Sequence, residues 1–247
     1  KATEQQKEEF LVPIAAGKHL TTLALSEPGT GAHFYFPQTQ LLALSETEYL
    51  LNGSKSFVTN GSKADSYVIS TAGVDPEAAR DEFSCFVLRN DTAGLEWGPE
   101  WKGLGMRGNS SRTLFLKDIK VPARNLLGEM GDQLWYVFQV VAPYFLTAMS
   151  GTYLGIAQAA FNEAREHLVD RTYRHNGTTL SQNNLLQHRL GMLWAKIERT
   201  RQLLYHATSE GDSGEPDAVL AILSSKAEVA HCCVDVVNEA MTLMGGI

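Results

Sequence analysis

The sequence predicts an α+β fold in which an antiparallel β-barrel or sandwich is followed by an up-and-down helical bundle. Between residues 18 and 125, short apolar runs alternate with turns that contain Gly, as is typical of domains built from short strands. From Asp132 onward, apolar residues recur with the i, i+3, i+4, i+7 spacing of helices that bury one face. We therefore expect three segments: 1–17, 18–125 and 126–247.

The first two segments are distinguished by their apolar spacing. Residues 4–15 form a charged helical stretch with one apolar stripe, and Gly17 ends it. In the second segment, each apolar run is short enough for a single strand. The predicted strands are 21–25, 40–44, 56–59, 66–71, 83–88 and 112–119.

The third segment predicts three long helices. The first runs from Asp132 to Val169, and Pro143 should either kink it or mark its true beginning. The second covers 185–209 and is followed by a polar, Gly-containing loop. The third covers 217–244. Because the apolar heptads are not strict, the pattern favours a bundle rather than a coiled coil.

Composition and charge argue against several classes of function. A net charge of −7 and a pI near 5.5 argue against nucleic acid or an anionic membrane surface as the main partner. We expect no membrane insertion, because no apolar run reaches the roughly 18 to 20 residues that span a bilayer. The polar first residues predict no signal peptide. No spacing of His, Cys, Asp and Glu predicts a metal site.

Three cysteines, Cys85, Cys232 and Cys233, lack the spacing of a disulfide framework and predict free thiols in a reducing compartment. We therefore expect a cytoplasmic protein. A mitochondrial-matrix location stays open, because the chain begins inside a predicted helix without an initiator methionine. Both ends of the sequence are expected to be cuts, which leaves the helical segments on either side of the β-domain truncated.

Two motifs carry the strongest functional signal. Residues 24–31 read Ala-Leu-Ser-Glu-Pro-Gly-Thr-Gly, and residues 51–61 read Leu-Asn-Gly-Ser-Lys-Ser-Phe-Val-Thr-Asn-Gly. In each, an apolar strand leads into a polar turn with Gly, where a backbone can approach a flat ligand and offer its amide donors. In this order and at this distance, the pair resembles the flavin-binding middle domain of acyl-CoA dehydrogenases. The order of a helical stretch, a β-domain and a helical bundle resembles that family as well.

The resemblance implies an FAD site at the strand ends. Leu23, Leu25 and Ser26 are expected along the isoalloxazine ring, with the Ser26 hydroxyl as a donor to it. Phe57 stands where the family often has a tryptophan, and Thr59 where a threonine contacts the N5 region. An aromatic face can stack on the ring, and strand-end donors can stabilise its charge. From the residues alone, Phe57 could instead be a core residue and Ser26 the cap of a turn.

A second set of residues is implied by weaker similarity. The turn at 106–112 resembles the family's Arg-Gly-Ser turn. Its Arg107 could pair with a phosphate or carboxylate of the substrate, or brace the turn against Asp118 or Glu100. The resemblance also points to an arginine that reaches the flavin pyrophosphate across a dimer interface. Arg171 and Arg174 are both candidates.

The last flavin contacts are expected near the C-terminal end of the sequence. The segment Ala-Met-Thr-Leu-Met-Gly-Gly at 240–246 resembles a family segment that contacts the partner subunit's flavin. Thr242 takes the place of the family's glutamine, with a shorter reach, and Gly246 is the second glycine of the pair.

The residues expected near the substrate differ from those of the family. Ala32 stands where a serine usually bonds the thioester arm, and an aromatic run at 33–36 follows it. That run could narrow the pocket or stack on a ring-shaped substrate, or it could simply pack in the barrel. Phe145 falls where a minority of the family places the catalytic glutamate. We therefore identify no catalytic residue. His33 is a possible substitute base near the expected flavin edge.

The resemblance implies an FAD-dependent oxidoreductase of fatty acid metabolism that removes hydrogens from the α and β carbons of an acyl-CoA thioester. Its expected partners are the small-molecule substrate, an electron-transfer partner or oxygen, and further copies of the chain in a homodimer or homotetramer. Two alternatives stay open. One is a flavin-dependent monooxygenase or oxidase of the same fold, and the other is a non-catalytic subunit that supports an active partner.

Overall fold

The computed structural model describes residues 2–73, 82–131 and 134–245. The chain divides into two compact units, Lys1–Val137 and Phe138–Ile247. The first unit holds all the described strands, and the second is helical. The predicted order of a helical stretch, a β-domain and a helical bundle is therefore present.

The first unit begins with a helix that changes type along its length. Helix α1 (Glu4–Gln6) passes into a π-helical turn, Lys7–Leu11, and then into helix α2 (Val12–Ala15). Pro13 explains the wide turn, because proline has no N–H and its ring collides with the carbonyl four residues earlier. Thr3 and Gln6 form a capping box at the start.

Two open sheets form the rest of the first unit. One has the order β1-β4-β5 and the other β2-β3-β7-β6. The described strand pairs are antiparallel, as predicted for this domain, except β1 and β4, which run parallel. The strands are β1 (Thr21–Ala24), β2 (Gln40–Ala43), β3 (Glu48–Val58), β4 (Ser66–Ala72), β5 (Phe83–Arg89), β6 (Leu95–Trp97) and β7 (Arg112–Pro122).

The core of this unit is apolar and is supplied by strands of both sheets. Leu51, Ile69, Phe86 and Leu114 belong to one cluster of fully buried side chains. Burial of such side chains stabilises a fold by about 1.5–3 kcal/mol each. A separate cluster packs Phe83 and its neighbours against Leu25, Phe34 and Tyr35.

Every predicted strand overlaps an observed one, but β3 is much longer than predicted. The Asn52–Gly53 pair lies outside the predicted strands but inside β3, at a register shift. The Asn52 amide makes this possible by bonding across to β7: it donates to the Asp118 carboxylate at 3.0 Å and accepts from the Asp118 amide at 2.8 Å. Strand β6 was not predicted, because three residues are too few for a visible alternation.

The second unit is built from three long helices. They are α4 (Ala142–Asp170), α5 (Asn184–Ser213) and α6 (Ala218–Met244). Helix α4 is preceded by α3 (Leu134–Tyr136) and a second π-helical turn, Val137–Val141, and Pro143 lies in its first turn. Pro143 was expected to kink the helix or to mark its true beginning, and it lies at the beginning of α4, directly after the π-helical turn.

Helix α5 ends four residues later than predicted. Gly214 stops it in a left-handed conformation with φ +67°, which Gly adopts without strain. Leu154, Phe161, Leu193, Ile197 and Val229 are among the buried residues at the centre of the three-helix core.

By length and composition, the helical segment Leu134–Asp170 would suffice to cross a bilayer. This finding differs from the expectation drawn from the sequence. A helix that packs in a protein core can have the same composition, but only 17% of the apolar window is buried here, although Leu154, Ala157 and Phe161 are buried against the other helices. The absence of membrane insertion therefore stays a prediction.

Candidate functional site

The two motif turns of the first unit are joined by a backbone hydrogen bond. Ser26 lies just beyond the end of β1, and its carbonyl accepts from the Ser56 amide in β3 at 2.7 Å. This bond connects one sheet to the other. Leu23 is exposed on β1, Leu25 is half-buried and Ser26 is exposed. The predicted ring-edge residues therefore lie along one strand and its exit, beside the second motif.

Phe57 is the most unusual residue of this region. It lies at a register shift between Lys55 and Val58 and has φ +53°, a left-handed conformation that a bulky residue rarely adopts. Its ring is 65% exposed and meets the Trp101 ring edge-on at 5.8 Å. A non-glycine residue in this conformation costs on the order of 1 kcal/mol or more, and such strain clusters at functional sites. The alternative that Phe57 is a core residue is wrong.

A buried ion pair lies directly behind these turns. The Lys55 ammonium and the Glu27 carboxylate are 2.5 Å apart, and their side chains are 0% and 3% exposed. Burial lowers the pKa of Lys55 to about 8, although Glu27 raises it. Sequence reasoning missed this pair. The available signal was an acidic and a basic residue, each next to a serine of one of the two motifs.

Glu27 is therefore not free to act as a base, although it follows Ser26. One of its oxygens accepts from Lys55 and from the Thr39 amide and hydroxyl, and the other accepts from the Gln38 amide at 2.5 Å. No carboxylate near Ser26 was predicted to be catalytic. The Glu27 carboxylate stabilises the fold through these hydrogen bonds.

The turn after β3 packs against the turn that contains Arg107. The Asn60 and Gly61 amides donate to the Asn109 and Ser110 carbonyls at 2.8 and 3.0 Å. Thr59 is half-buried and directly precedes Asn60 in this packed turn.

Arg107 is exposed, and its Nε donates to the Gly103 carbonyl at 3.0 Å. Bracing by Glu100 or Asp118 was the wrong alternative, because Glu100 pairs with Arg112 at 2.6 Å and Asp118 bonds to Asn52. Arg107 therefore braces its own loop through a backbone carbonyl, and most of its guanidinium stays open to a ligand.

The aromatic run that follows the first motif forms a chain of ring contacts. Ala32 and His33 are exposed. The His33 ring contacts Tyr35 at 5.8 Å and Phe36 at 6.4 Å, and Tyr35 contacts Phe36 at 4.6 Å. Phe34 and Tyr35 also pack into the core near Leu25. Packing thus explains half of the run, whereas His33 and Phe36 face outward.

The remaining predicted residues lie in the second unit, and two of them are far apart. Phe145 is 59% exposed near the start of α4, and Arg171 is exposed at its C-terminal cap. They are 26 residues apart, which at about 1.5 Å per residue is roughly 39 Å. Within one chain, Phe145 and Arg171 therefore belong to two different sites. The Arg171 segment folds into a hairpin, in which Thr172 pairs with Thr179.

Thr242 lies on an open groove between α5 and α6. Its hydroxyl donates to the Asn238 carbonyl at 2.9 Å, so its one proton is already used and only its lone pairs remain to accept hydrogen bonds. Ion pairs line the same groove: Arg189 with Glu239, and Lys196 with Asp235. Lys196 lowers the pKa of the Asp235 carboxyl through its hydrogen bond and its charge. Gly246, the other expected contact, lies outside the described residues.

No group of three metal-ligating side chains occurs within 2–73, 82–131 and 134–245. The three cysteines are free thiols. The described geometry offers a platform for a flat ligand: an exposed aromatic ring, an exposed hydroxyl and strand-end backbone groups, next to the backbone bond that joins the two motif turns.

Comparison with known families gives a match for each of two parts of the chain. The middle domain of acyl-CoA dehydrogenases matches residues 22–119, and the C-terminal domain of the same enzymes matches residues 142–247. The chain belongs to the acyl-CoA dehydrogenase superfamily. Both motif turns lie inside the middle-domain match, and Phe145, Arg171 and Thr242 lie inside the C-terminal match.

Its relatives include curated acyl-CoA dehydrogenases. The chain is 31% identical over 244 residues to a short-chain-specific acyl-CoA dehydrogenase of Megasphaera elsdenii, covering 99% of the chain and 62% of the relative. It is 32% identical to a protein of the same description from Clostridium acetobutylicum, over 99% of the chain and 63% of that relative. The chain thus spans less than two thirds of the acyl-CoA dehydrogenases it matches.

A solved structure confirms the α+β fold. The butyryl-CoA dehydrogenase of Megasphaera elsdenii superposes with a TM-score of 0.90 at 30% identity, over 99% of the chain and 62% of that structure. The resemblance inferred from the two motifs is therefore confirmed for the family and for the fold.

Proposed function

We propose that the chain is the FAD-binding part of an oxidoreductase that dehydrogenates an acyl-CoA thioester between its α and β carbons. The observation that carries the proposal is Phe57, a strained and exposed aromatic ring next to the joined Ser26 and Ser56 turns. Exposure of a large ring at a strained bulge is unfavourable unless a ligand covers it. Membership in the acyl-CoA dehydrogenase superfamily supports a flavin as that ligand.

The residues present fit an isoalloxazine ring. Phe57 offers a stacking face, Ser26 an exposed hydroxyl, and Leu23 and Leu25 an apolar edge. Bound FAD would supply the hydride-accepting chemistry of the reaction. The task of the chain is to hold the ring flat against these strands, to exclude water from it and to donate hydrogen bonds to its polar edge. Arg171 is a proposed contact to the pyrophosphate of a second copy. Thr242 is a proposed contact to the flavin of a second copy, and its hydroxyl would have to leave the Asn238 carbonyl in order to donate to it.

The substrate contacts are proposed by position or by chemistry. Ala32 stands where the family usually has a serine at the thioester arm, and Phe145 where a minority of the family has the catalytic glutamate. His33 and Arg107 are proposed as further substrate contacts from their own chemistry. Arg107 is exposed and always charged, which suits a phosphate or a carboxylate. Electrons would leave to an electron-transfer protein or to oxygen. The proton acceptor is not assigned to a residue of this chain.

The test is an anaerobic absorbance spectrum of the holoprotein before and after addition of butyryl-CoA, chosen because relatives are described as short-chain specific. A flavin band near ~450 nm that bleaches with the thioester is expected. A yellow protein that no acyl-CoA bleaches would contradict the substrate but keep the cofactor. A colourless protein that takes up no FAD would contradict both and favour the non-catalytic subunit.

An oxidase or monooxygenase is the second candidate, and the aromatic run favours it. Outward-facing His33 and Phe36 next to Ala32 form a surface suited to a ring-shaped substrate rather than to a thioester arm. Reoxidation of the reduced protein by oxygen separates the two candidates. Reoxidation within the mixing time would support the oxidase, and reoxidation over minutes would support the dehydrogenase.

A further inference from the structure

The buried pair Glu27–Lys55 joins more chain segments than an ordinary ion pair. Besides Glu27, the Lys55 ammonium donates to the Ser70 carbonyl at 2.6 Å and to the Ser70 hydroxyl at 2.9 Å. Glu27 in turn holds the Gln38 and Thr39 amides ahead of β2. The exit of β1, the approach to β2, the body of β3 and the middle of β4 therefore meet at two side chains.

This meeting point lies beside the joined turns. Lys55 precedes Ser56, and Glu27 follows Ser26, so the side-chain bond Lys55–Glu27 and the backbone bond Ser56–Ser26 are adjacent and link the same two segments. Lys55 is also the last residue of β3 that pairs with β7 in regular register before the register shift. Phe57 lies within that shift. The pair thus fixes the base of the bulge on one side and the β1 exit on the other.

A buried ion pair is a poor choice for stability alone. Removing two charges from water costs several kcal/mol per ion, and apolar side chains of similar size often stabilise a core as well or better. A pair with every donor matched has a different advantage, because its bonds are directional and hold segments in one arrangement. The strain at Phe57 requires such over-determined surroundings.

We propose that Glu27 and Lys55 are positioning residues that hold the Ser26 turn and the Phe57 ring in the arrangement that binds the flavin. They do not touch the ligand themselves, because both are buried. The inference rests on the proposed function for the identity of the ligand. It adds that ligand affinity depends on a charge pair located behind the binding surface.

The experiment compares Lys55→Met, Glu27→Gln and the double variant with the holoprotein, and uses Lys63→Met and Glu46→Gln, both exposed, as controls. FAD is titrated into each apoprotein, and the resolved structure of the flavin absorbance band is recorded beside far-UV circular dichroism. We expect roughly a tenfold or larger rise in the FAD Kd and a blurred flavin band in all three pair variants, with retained dichroism. The controls should bind as the original protein does.

Three results would overturn the inference. The first is wild-type FAD affinity and band shape in folded pair variants. The second is global unfolding of both single variants where the controls stay folded, since the pair would then be required by the fold rather than by the site. The third is an equal loss of affinity in the exposed controls. Failure of the unaltered protein to bind FAD would instead contradict the proposed function, so the two failures are distinguishable.

Discussion

At position 57, stability and ligand binding favour different residues. Its left-handed backbone suits Gly, whereas its exposed ring suits a stacking ligand. We expect Phe57→Gly to be about 1 kcal/mol more stable than Phe57→Ala, because Gly relieves the strain and Ala keeps it. Both should lose FAD affinity to the same degree. Urea unfolding and FAD titration measure the two effects, and equal stability of the variants would show that φ at this position is not strained.

Lys55 makes stability depend on pH in a defined direction. Burial lowers its pKa from 10.5 to about 8, so above pH 8 the folded chain has released a proton that the unfolded chain still holds. The free energy of unfolding should therefore rise with pH from 8 to 10.5, by at most about 1.4 kcal/mol per pH unit from this group. Glu27 and Cys85 are the titratable groups that face it.

Cys85 changes the free energy of unfolding with pH in the opposite direction. Burial raises the pKa of its thiol from 9.0 to about 12, so above pH 9 only the unfolded chain loses this proton and stability falls. We expect a rise between pH 8 and 9 that levels off above 9. Cys85→Ala should extend the rise to pH 10.5, and Lys55→Met should remove it. Urea titrations at half-unit pH steps give the three slopes, and an unchanged slope in Lys55→Met would contradict the assignment.

At the scale of elements, the close approach of the backbone to a strand limits which residue fits beside it. A Cβ on Gly94, which has φ +92°, would lie 2.3 Å from the Lys117 carbonyl oxygen at the β6–β7 hairpin. Gly94→Ala should cost at least about 2 kcal/mol of unfolding free energy, because backbone must move. Gly105→Ala is the matched control, since nothing lies within 4 Å of its Cβ. Similar urea midpoints for both variants would contradict this argument.

The same scale shows what could be predicted from sequence. Strand and helix types follow from periodicity, which is local, so every predicted strand overlaps an observed one. Asn52–Gly53 was not predicted to lie in a strand because its partner, Asp118, is 66 residues away and supplies the bonds that keep the chain extended. Ser26 and Phe57 were identified because their motifs are local. Glu27 and Lys55 were missed because burial and pairing are tertiary properties, although both residues stand inside those motifs.

At the scale of the whole molecule, the helical unit exposes large apolar side chains on all three of its long helices. Val169 on α4, Trp194 on α5 and Leu220 on α6 are each more than half exposed, and other apolar residues on the same helices are exposed as well. Surfaces of this kind mark interfaces with protein or lipid. The net charge of −7 disfavours an anionic membrane, so we expect protein to cover these faces, with further copies of the chain as the partner.

This predicts that the holoprotein sediments as a dimer or tetramer in the absence of detergent. Trp194→Arg places a charge on an exposed apolar position of α5 and should shift the protein toward monomer, because an unpaired charge in an apolar interface costs several kcal/mol. Gln202→Arg, at an exposed polar position of the same helix, should leave the assembly unchanged. Analytical ultracentrifugation measures both. A monomer in every case, or assembly that needs detergent, would mean that a different surface or a lipid covers these helices.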